Sequence, residues 1–158
     1  MLNPEDKEKI QNLIRMHWFI FLSFASAILM YTLVVFLVTG NRSVEPHQIG
    51  AMKSLFIVIS IVFAAAKFWI QSRLLYEETA YGKCGTLDEI IGKYVSRYFI
   101  TLALCEAPAL FGLVITFLTM RIEEWWLFFI ISAVLFGTSA PRSDKLESIA
   151  DAQSTRVL

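Results

Sequence analysis

Four long apolar blocks, separated by charged stretches, constrain this chain more than any other feature of its sequence. They lie at about residues 18–38, 54–70, 98–119 and 125–140, and the first block contains no charged side chain. A helix needs about 20 apolar residues to cross about 30 Å of hydrocarbon, and the first and third blocks reach that length. Only 18% of the residues are charged, against about 25% in soluble domains. The pattern predicts an integral membrane protein.

Helix is the expected structure of all four blocks. Backbone groups in lipid must be hydrogen-bonded within a helix or a closed barrel, and these blocks do not alternate as barrel strands do. We therefore predict an all-α membrane bundle of two helical hairpins, with residues 1–158 as a single domain. The predicted helices cover about residues 18–39, 52–70, 98–119 and 125–140.

Polar sequence ahead of the first and third blocks is expected to extend these two helices into the cytoplasm. The extensions cover about residues 4–16 and 87–97, where apolar side chains recur at helical spacing. Thr86 and Glu89 have the Thr-x-x-Glu spacing of a capping box, which places the start of the third helix near Leu87.

Lysine and arginine are unevenly distributed over the polar segments, and this predicts the orientation. Eleven of them lie in the N-terminal segment, the middle loop with its edge, and the C-terminal tail, and three lie in the other two loops. Short cytoplasmic loops are enriched in these residues. Both termini are therefore predicted to be cytoplasmic, in a cell (inner) membrane, with Trp125 and Trp126 at the outer interface.

The first and third helices are similar in sequence at an offset of 80 residues. Phe19 then aligns with Phe99, and Ala27 aligns with Ala107. The second and fourth helices align more weakly at an offset of 73 residues. This pattern favours an internal repeat of two parallel hairpins, and shared apolar composition is the alternative explanation.

Glu106 is the one charged residue inside the third block. It lies eight residues after Tyr98, which is about 12 Å along a helix at about 1.5 Å per residue. Acidic side chains at such depth usually face the bundle interior and have a partner or a function. Apolar surroundings favour the neutral, protonated form of the carboxyl group. Glu106 is therefore the candidate functional residue.

Two interpretations of Glu106 remain open. In the structural one, it pairs with Lys67 near the cytoplasmic end of the second helix, or hydrogen-bonds to Ser23 or Ser26. In the other, it exchanges a proton or a sodium ion, and a carbonyl freed by Pro108 helps to coordinate it. A stripe of small residues beside Glu106 is expected to let another helix approach closely. These residues are Cys105, Ala109, Gly112 and Thr116.

The stretch from Ile100 to Leu118 resembles the ion-carrying helix of the proteolipid (c) subunit of rotary ATPases. Glu106 matches the ion-binding carboxylate of that family, and Ala107 and the Gly112-Leu-Val segment match its flanks. The resemblance covers about 20 residues and implies that Glu106 takes up and releases a proton or sodium ion within a ring of subunits. The Glu106-Ala-Pro-Ala-Leu-Phe-Gly stretch also resembles bacterial four-helix membrane proteins, which implies no activity.

Several functions are not expected from the sequence. The net charge of zero does not suggest nucleic-acid binding, and no metal or cofactor motif is present. The two cysteines, Cys84 and Cys105, are expected to be reduced thiols, and His17 and His47 ordinary interface or loop residues. The leading hypothesis is a non-enzymatic subunit of a membrane assembly, either a homo-oligomer or bound to another membrane protein. A proton- or sodium-coupled module is the alternative.

Overall fold

The computed structural model describes residues 4–39, 50–81 and 86–141. These ranges contain helices and short turns and no strand, which confirms the all-α prediction for this part of the chain. The four helices are α1 (Pro4–Val38), α2 (Gly50–Ile70), α3 (Leu87–Thr119) and α4 (Glu123–Gly137). Cys84, His47 and the C-terminal tail after residue 141 lie outside the described ranges.

Three of the helical stretches have the length and apolar composition needed to cross a membrane. They are Glu8–Val38, Gly50–Leu75 and Asp88–Thr119. The fourth helix, α4, has only 15 residues, or about 22 Å at about 1.5 Å per residue. It ends at Gly137 instead of near residue 140, because the Thr138 and Ser139 hydroxyls donate to the Leu135 carbonyl at 2.8 and 2.9 Å. Pro141 also disfavours a helical conformation at the residue before it.

Both polar extensions are part of their helices. The third helix, α3, begins at Leu87, and the Thr86 hydroxyl accepts a hydrogen bond from the Glu89 backbone N–H at 3.3 Å. The first helix, α1, runs unbroken from Pro4, and Lys9 forms an exposed ion pair with Asp88 at 3.3 Å. Since the N-terminal ends of α1 and α3 lie side by side, the two helices run in the same direction.

The central element of the fold is α3. It packs most extensively against α4, and α1 and α2 pack against its other sides. The Phe24 ring of α1 contacts Phe99, and the Phe56 ring of α2 stacks on Phe111. The prediction of two equivalent hairpins does not hold in this arrangement, because α1 and α2 make hardly any contact with each other whereas α3 and α4 pack along their lengths.

A second layer of structure closes the end of the bundle that holds the N-terminus of α3. A π-helical turn, Gln71–Leu75, continues α2, and a 3-10 helix, Glu78–Tyr81, follows it. The Arg97 guanidinium donates to the Leu74 carbonyl at 2.6 Å and lies over the Tyr81 ring. Leu75 and Tyr81 are therefore fully buried in the same core as Ile10 and Leu13 of α1.

Large apolar side chains are exposed on the outer faces of all four helices. Such continuous apolar surface is covered by lipid or by another protein in membrane proteins, and it is rare on soluble monomers. Of the two adjacent tryptophans, Trp125 is fully buried against α3, whereas Trp126 faces outward. Examples of the exposed residues are Phe19, Leu29 and Leu37 on α1, Val58 and Ile61 on α2, Phe99 and Leu118 on α3, and Ile130 and Val134 on α4.

Candidate functional site

The Glu106 carboxyl group forms its hydrogen bond with Tyr31 of α1. The Tyr31 hydroxyl donates to Oε1 of Glu106 at 2.5 Å, and both side chains are half-buried between α1 and α3. This distance is at the short end of the range for a hydroxyl bonded to a carboxyl oxygen. Tyr31 was not predicted as the partner of Glu106. It is the one tyrosine in the first apolar block, and a phenol hydroxyl in an apolar environment usually has a hydrogen-bond partner.

The second oxygen of this carboxyl group, Oε2, is in a different situation. It accepts no hydrogen bond from any residue in the described ranges. It is also not among the enclosed polar atoms that lack a partner. Oε2 is therefore not fully enclosed by the described residues.

The partners that the sequence suggested for Glu106 are engaged elsewhere. The Ser23 hydroxyl donates to the Phe19 carbonyl at 2.8 Å, and the Ser26 hydroxyl donates to the Ser23 carbonyl at 2.8 Å. Both serines are exposed on α1. Lys67 forms no ion pair with Glu106 or with any other carboxylate in the described part of the chain.

Lys67 instead holds the C-terminal end of α4. Its side chain is fully buried, its Nζ donates to Oγ1 of Thr138 at 2.6 Å, and the ammonium lies 4.2 Å from the centre of the Phe68 ring. The last turn of a helix exposes carbonyl groups and the negative end of the helix dipole. The Lys67 charge is thus placed at the negative end of α4 and against an aromatic face.

Two further side chains complete this cap on α4. Gln71 Nε2 donates to the Thr138 carbonyl at 3.0 Å, and the Tyr98 hydroxyl donates to the Ser139 carbonyl at 3.2 Å. These two donors satisfy the carbonyl groups of the two residues that follow α4, a role that water otherwise has at the end of a helix. Lys67 of α2, Gln71 of the π-helical turn and Tyr98 of α3 therefore bind the residues that follow α4.

The small-residue stripe on α3 faces α4, as a close approach requires. A Cβ atom added at Gly112 would lie 2.7 Å from Cβ of Phe128, so the two helices are nearly in backbone contact there. Cys105 is buried with its Sγ 3.4 Å from Oγ of Ser139. Gly112 and Cys105 thus lie on the face of α3 that packs against α4.

Pro108 and Ala109 mark the middle of the same interface. The helix α3 continues through Pro108. The next residue, Ala109, donates its backbone N–H to Oγ of Ser132 on α4 at 2.9 Å. This bond between a backbone and a side chain links the two helices at a depth close to that of Glu106.

His17 is more deeply buried than the sequence suggested. It is 2% exposed, and its ring makes edge contacts with the Tyr94 and Tyr98 rings. The Leu13 carbonyl lies 2.7 Å from Nδ1, so Nδ1 carries the proton that is donated. Nε2 is enclosed without a hydrogen-bond partner in the described residues. The ring packs as part of the α1–α3 interface.

Within the described residues, polar groups inside the bundle join the helices at three places. Tyr31 and Glu106 join α1 to α3, Ala109 and Ser132 join α3 to α4, and the Lys67 cap joins α2 to α4. No group of three or more metal-ligating side chains occurs in residues 4–39, 50–81 and 86–141. The chain matches no protein-family model, and no curated protein or solved structure is significantly similar to it.

Proposed function

We propose that this protein is a non-enzymatic, multi-pass membrane protein that serves as a structural or accessory subunit of a membrane assembly. The observation that carries the proposal is that the polar side chains within the apolar bundle are used to join helices. In the described part of the chain, hydrogen bonds of this kind join α1 to α3, α3 to α4, and α2 to the end of α4. Polar contacts of this kind stabilise helix association in lipid.

The arrangement of α3 and α4 supports a fourth crossing despite the short length of α4. At one end Glu124 forms an ion pair with Lys53 at 2.6 Å, and at the other end Ser139 accepts a hydrogen bond from Tyr98. The helix α4 thus accompanies α3 back to Tyr98, where the predicted span of α3 begins. With four crossings and the distribution of lysine and arginine, both termini are cytoplasmic in a cell (inner) membrane.

A role within an assembly is supported by the outer helices. Only 11% of the residues in the most apolar stretch of α1 and 17% of those in α2 are buried within this chain, whereas 44% are buried in that of α3. The first two helices therefore bury few of their apolar residues within this chain. In this proposal, that surface is where partner helices bind.

Cysteine labelling tests the topology. Lys7→Cys and Arg156→Cys are introduced separately into a chain carrying Cys84→Ser and Cys105→Ala, and a membrane-impermeant maleimide is added to intact and to opened cells. We expect both sites to react only after opening. Reaction of Arg156→Cys in intact cells, with Lys7→Cys protected, would show three crossings and contradict the proposed topology.

The mass of the particle extracted from native membranes tests the assembly. A subunit should be released by mild detergent in particles whose protein mass exceeds the 18.0 kDa of one chain. A particle of a single chain in every mild detergent and after cross-linking in the membrane would contradict the subunit role.

A proton- or sodium-coupled module is the second candidate, supported by the half-buried Glu106, whose Oε2 accepts no hydrogen bond from the described residues. In this alternative the carboxyl group binds and releases the ion, with Tyr31 holding Oε1. Carbodiimide should then label Glu106, and sodium ions or low pH should change the rate of labelling. The Glu106→Gln variant should fold without being labelled. A labelling rate that is unaffected by both sodium and pH would exclude ion exchange at this carboxyl group.

A further inference from the structure

His17 lies where the polar extension of α1 meets the first apolar block, and it packs this part of α1 against α3. Two apolar side chains of the extension, Ile10 and Leu13, are buried in the core of the bundle. The His17 ring continues this row, with its centre 5.1 Å from that of Tyr94 and 4.7 Å from that of Tyr98. A histidine therefore occupies a position in the α1–α3 contact that an apolar side chain could fill.

Only the neutral form of His17 matches this position. Nδ1 lies 2.7 Å from the Leu13 carbonyl oxygen, which only accepts hydrogen bonds, so Nδ1 carries a hydrogen. Nε2 is enclosed, and no residue in the described ranges forms a hydrogen bond with it. A proton on Nε2 would add a donor without an acceptor and a positive charge without water. Because an enclosed, unpaired charge is costly, the closed contact between the helices excludes that proton.

The groups that face His17 do not compensate a positive charge. From α3 they are Tyr94 and Tyr98, and phenol hydroxyls have an ordinary pKa of about 10, so they carry no negative charge near neutral pH. From α4, Phe136 contacts α1 one turn further on, at Phe21. The ion pairs among the described residues do not include His17.

Charged side chains on α1 itself also lie away from the ring. Arg15 is exposed, whereas His17 is buried. Lys9 pairs with Asp88 of α3 at the surface, two helical turns before His17. No acidic group in the described part of the chain therefore holds a proton on Nε2 while the contact is closed.

The polar extension is able to leave α3 without the apolar block following it. The outward-facing side chains of the extension include Glu8, Gln11 and Asn12, which are exposed and hydrophilic. Further along α1, the Phe24 ring and the Tyr31 hydroxyl make contacts with α3 that do not involve His17. Opening at His17 is thus a local change at one end of the bundle.

We propose that His17 forms a pH-sensitive contact between the polar extension of α1 and α3, which is closed when the ring is neutral and opens when Nε2 takes up a proton. In the open form the ring reaches water, where histidine has its ordinary pKa of about 6.5. Since only the open form binds the additional proton, a pH below about 6.5 shifts the equilibrium toward opening. Opening exposes the apolar face that carries Ile10 and Leu13.

Distances between spin labels test the opening. Asn12→Cys on α1 and Ser96→Cys on α3, both at exposed positions, are labelled in the chain with Cys84→Ser and Cys105→Ala and measured by pulsed EPR. If only the open form takes up the proton, the ratio of open to closed distances should rise about tenfold between about pH 7.5 and about pH 5.5. A ratio that stays constant over this range would overturn the proposal.

The matched control is His17→Phe, which keeps an aromatic ring of similar size but cannot take up a proton. Its ratio of open to closed distances should be the same at both pH values. An equal rise in the His17→Phe variant would assign the opening to another group and overturn the role of His17.

Nitrogen NMR of labelled histidine provides a second measurement that does not require the His17→Phe variant to fold. His17 and His47 are the two histidines of the chain, so His47→Gln leaves a single signal. We expect a neutral ring with its hydrogen on Nδ1 at about pH 7.5, and uptake of the second proton in parallel with opening. A ring that is protonated while the spin-label distance remains closed would refute the pH-sensitive contact. None of these results depends on the mass of the extracted particle, so they are independent of the proposed subunit role.

Discussion

Gly112 allows the most specific test of the packing between α3 and α4. Substitution by alanine would place a Cβ atom 2.7 Å from Cβ of Phe128 and 3.3 Å from Cε3 of Trp125. The first contact is about 0.7 Å closer than the 3.4 Å at which ordinary van der Waals contact begins. Because Cβ of Phe128 is fixed by the backbone, no rotation of that side chain relieves the overlap, and α4 itself must move.

The magnitude is obtained by comparison with Gly92 in the same helix. A Cβ atom at Gly92 would meet nothing within 4 Å. Replacing glycine by alanine within a helix stabilises it by about 0.5–1 kcal/mol, and this gain is common to both positions. The difference between the two variants therefore reports the overlap at Gly112. Overpacking of a tight interface costs about 1–3 kcal/mol, so Gly112→Ala should be less stable than Gly92→Ala by about that amount.

Unfolding in mixed micelles measures this difference. Helix content is followed by circular dichroism as the fraction of denaturing detergent rises, for Gly92→Ala, Gly112→Ala and the wild type. We expect Gly92→Ala to equal or exceed the wild type and Gly112→Ala to unfold first. Equal stability of the two variants would refute the close approach of α4 to α3.

The remaining predictions concern the polar contacts. Tyr31→Phe should destabilise the bundle by about 1 kcal/mol and increase the rate of carbodiimide labelling of Glu106. An unchanged labelling rate would show that Tyr31 does not hold the Glu106 carboxyl group. Lys67→Met should stay folded, with a loss of less than about 1.5 kcal/mol, because an apolar side chain of similar size replaces a costly buried charge. Lys67→Glu should prevent folding, because it puts a negative charge at the negative end of α4. Folding is measured by protease resistance, and equal folding of Lys67→Met and Lys67→Glu would contradict the role of Lys67 as a cap on α4. Ser132→Ala should cost about 1 kcal/mol in the same detergent unfolding experiment, and a stability equal to that of the wild type would show that its bond to the α3 backbone contributes nothing.

Features that depend on local sequence could be predicted. Thr86 and Glu89 have the spacing of a cap, and the helix starts where that spacing places it, because capping involves residues within one turn. Glu106 stood out because a charged residue within an apolar block is costly wherever the helix packs. Gly112 was expected at a close contact since its small size permits one in any arrangement.

The partners of these residues could not be predicted in the same way. Helices that are apolar on all sides carry no polar stripe to show which face turns inward, so the rotation of α1 and α2 about their axes was undetermined. A pair between Lys67 and Glu106 was one of the alternatives, whereas the structure turns Lys67 toward Thr138. Tyr31 and Glu106 are 75 residues apart in the chain, and nothing local to either one specifies the other.

The amino-acid sequence by itself determined that this chain forms long apolar helices, because a backbone surrounded by apolar side chains satisfies its hydrogen bonds most simply within each segment. It also determined that an acid lies within the third of these helices. Only the tertiary structure decided that α3 is central, that α4 ends early under a lysine cap, and that Tyr31 holds one oxygen of Glu106. The physical reason is that side-chain pairing between helices depends on their relative rotation and depth, which are set by packing across the whole bundle.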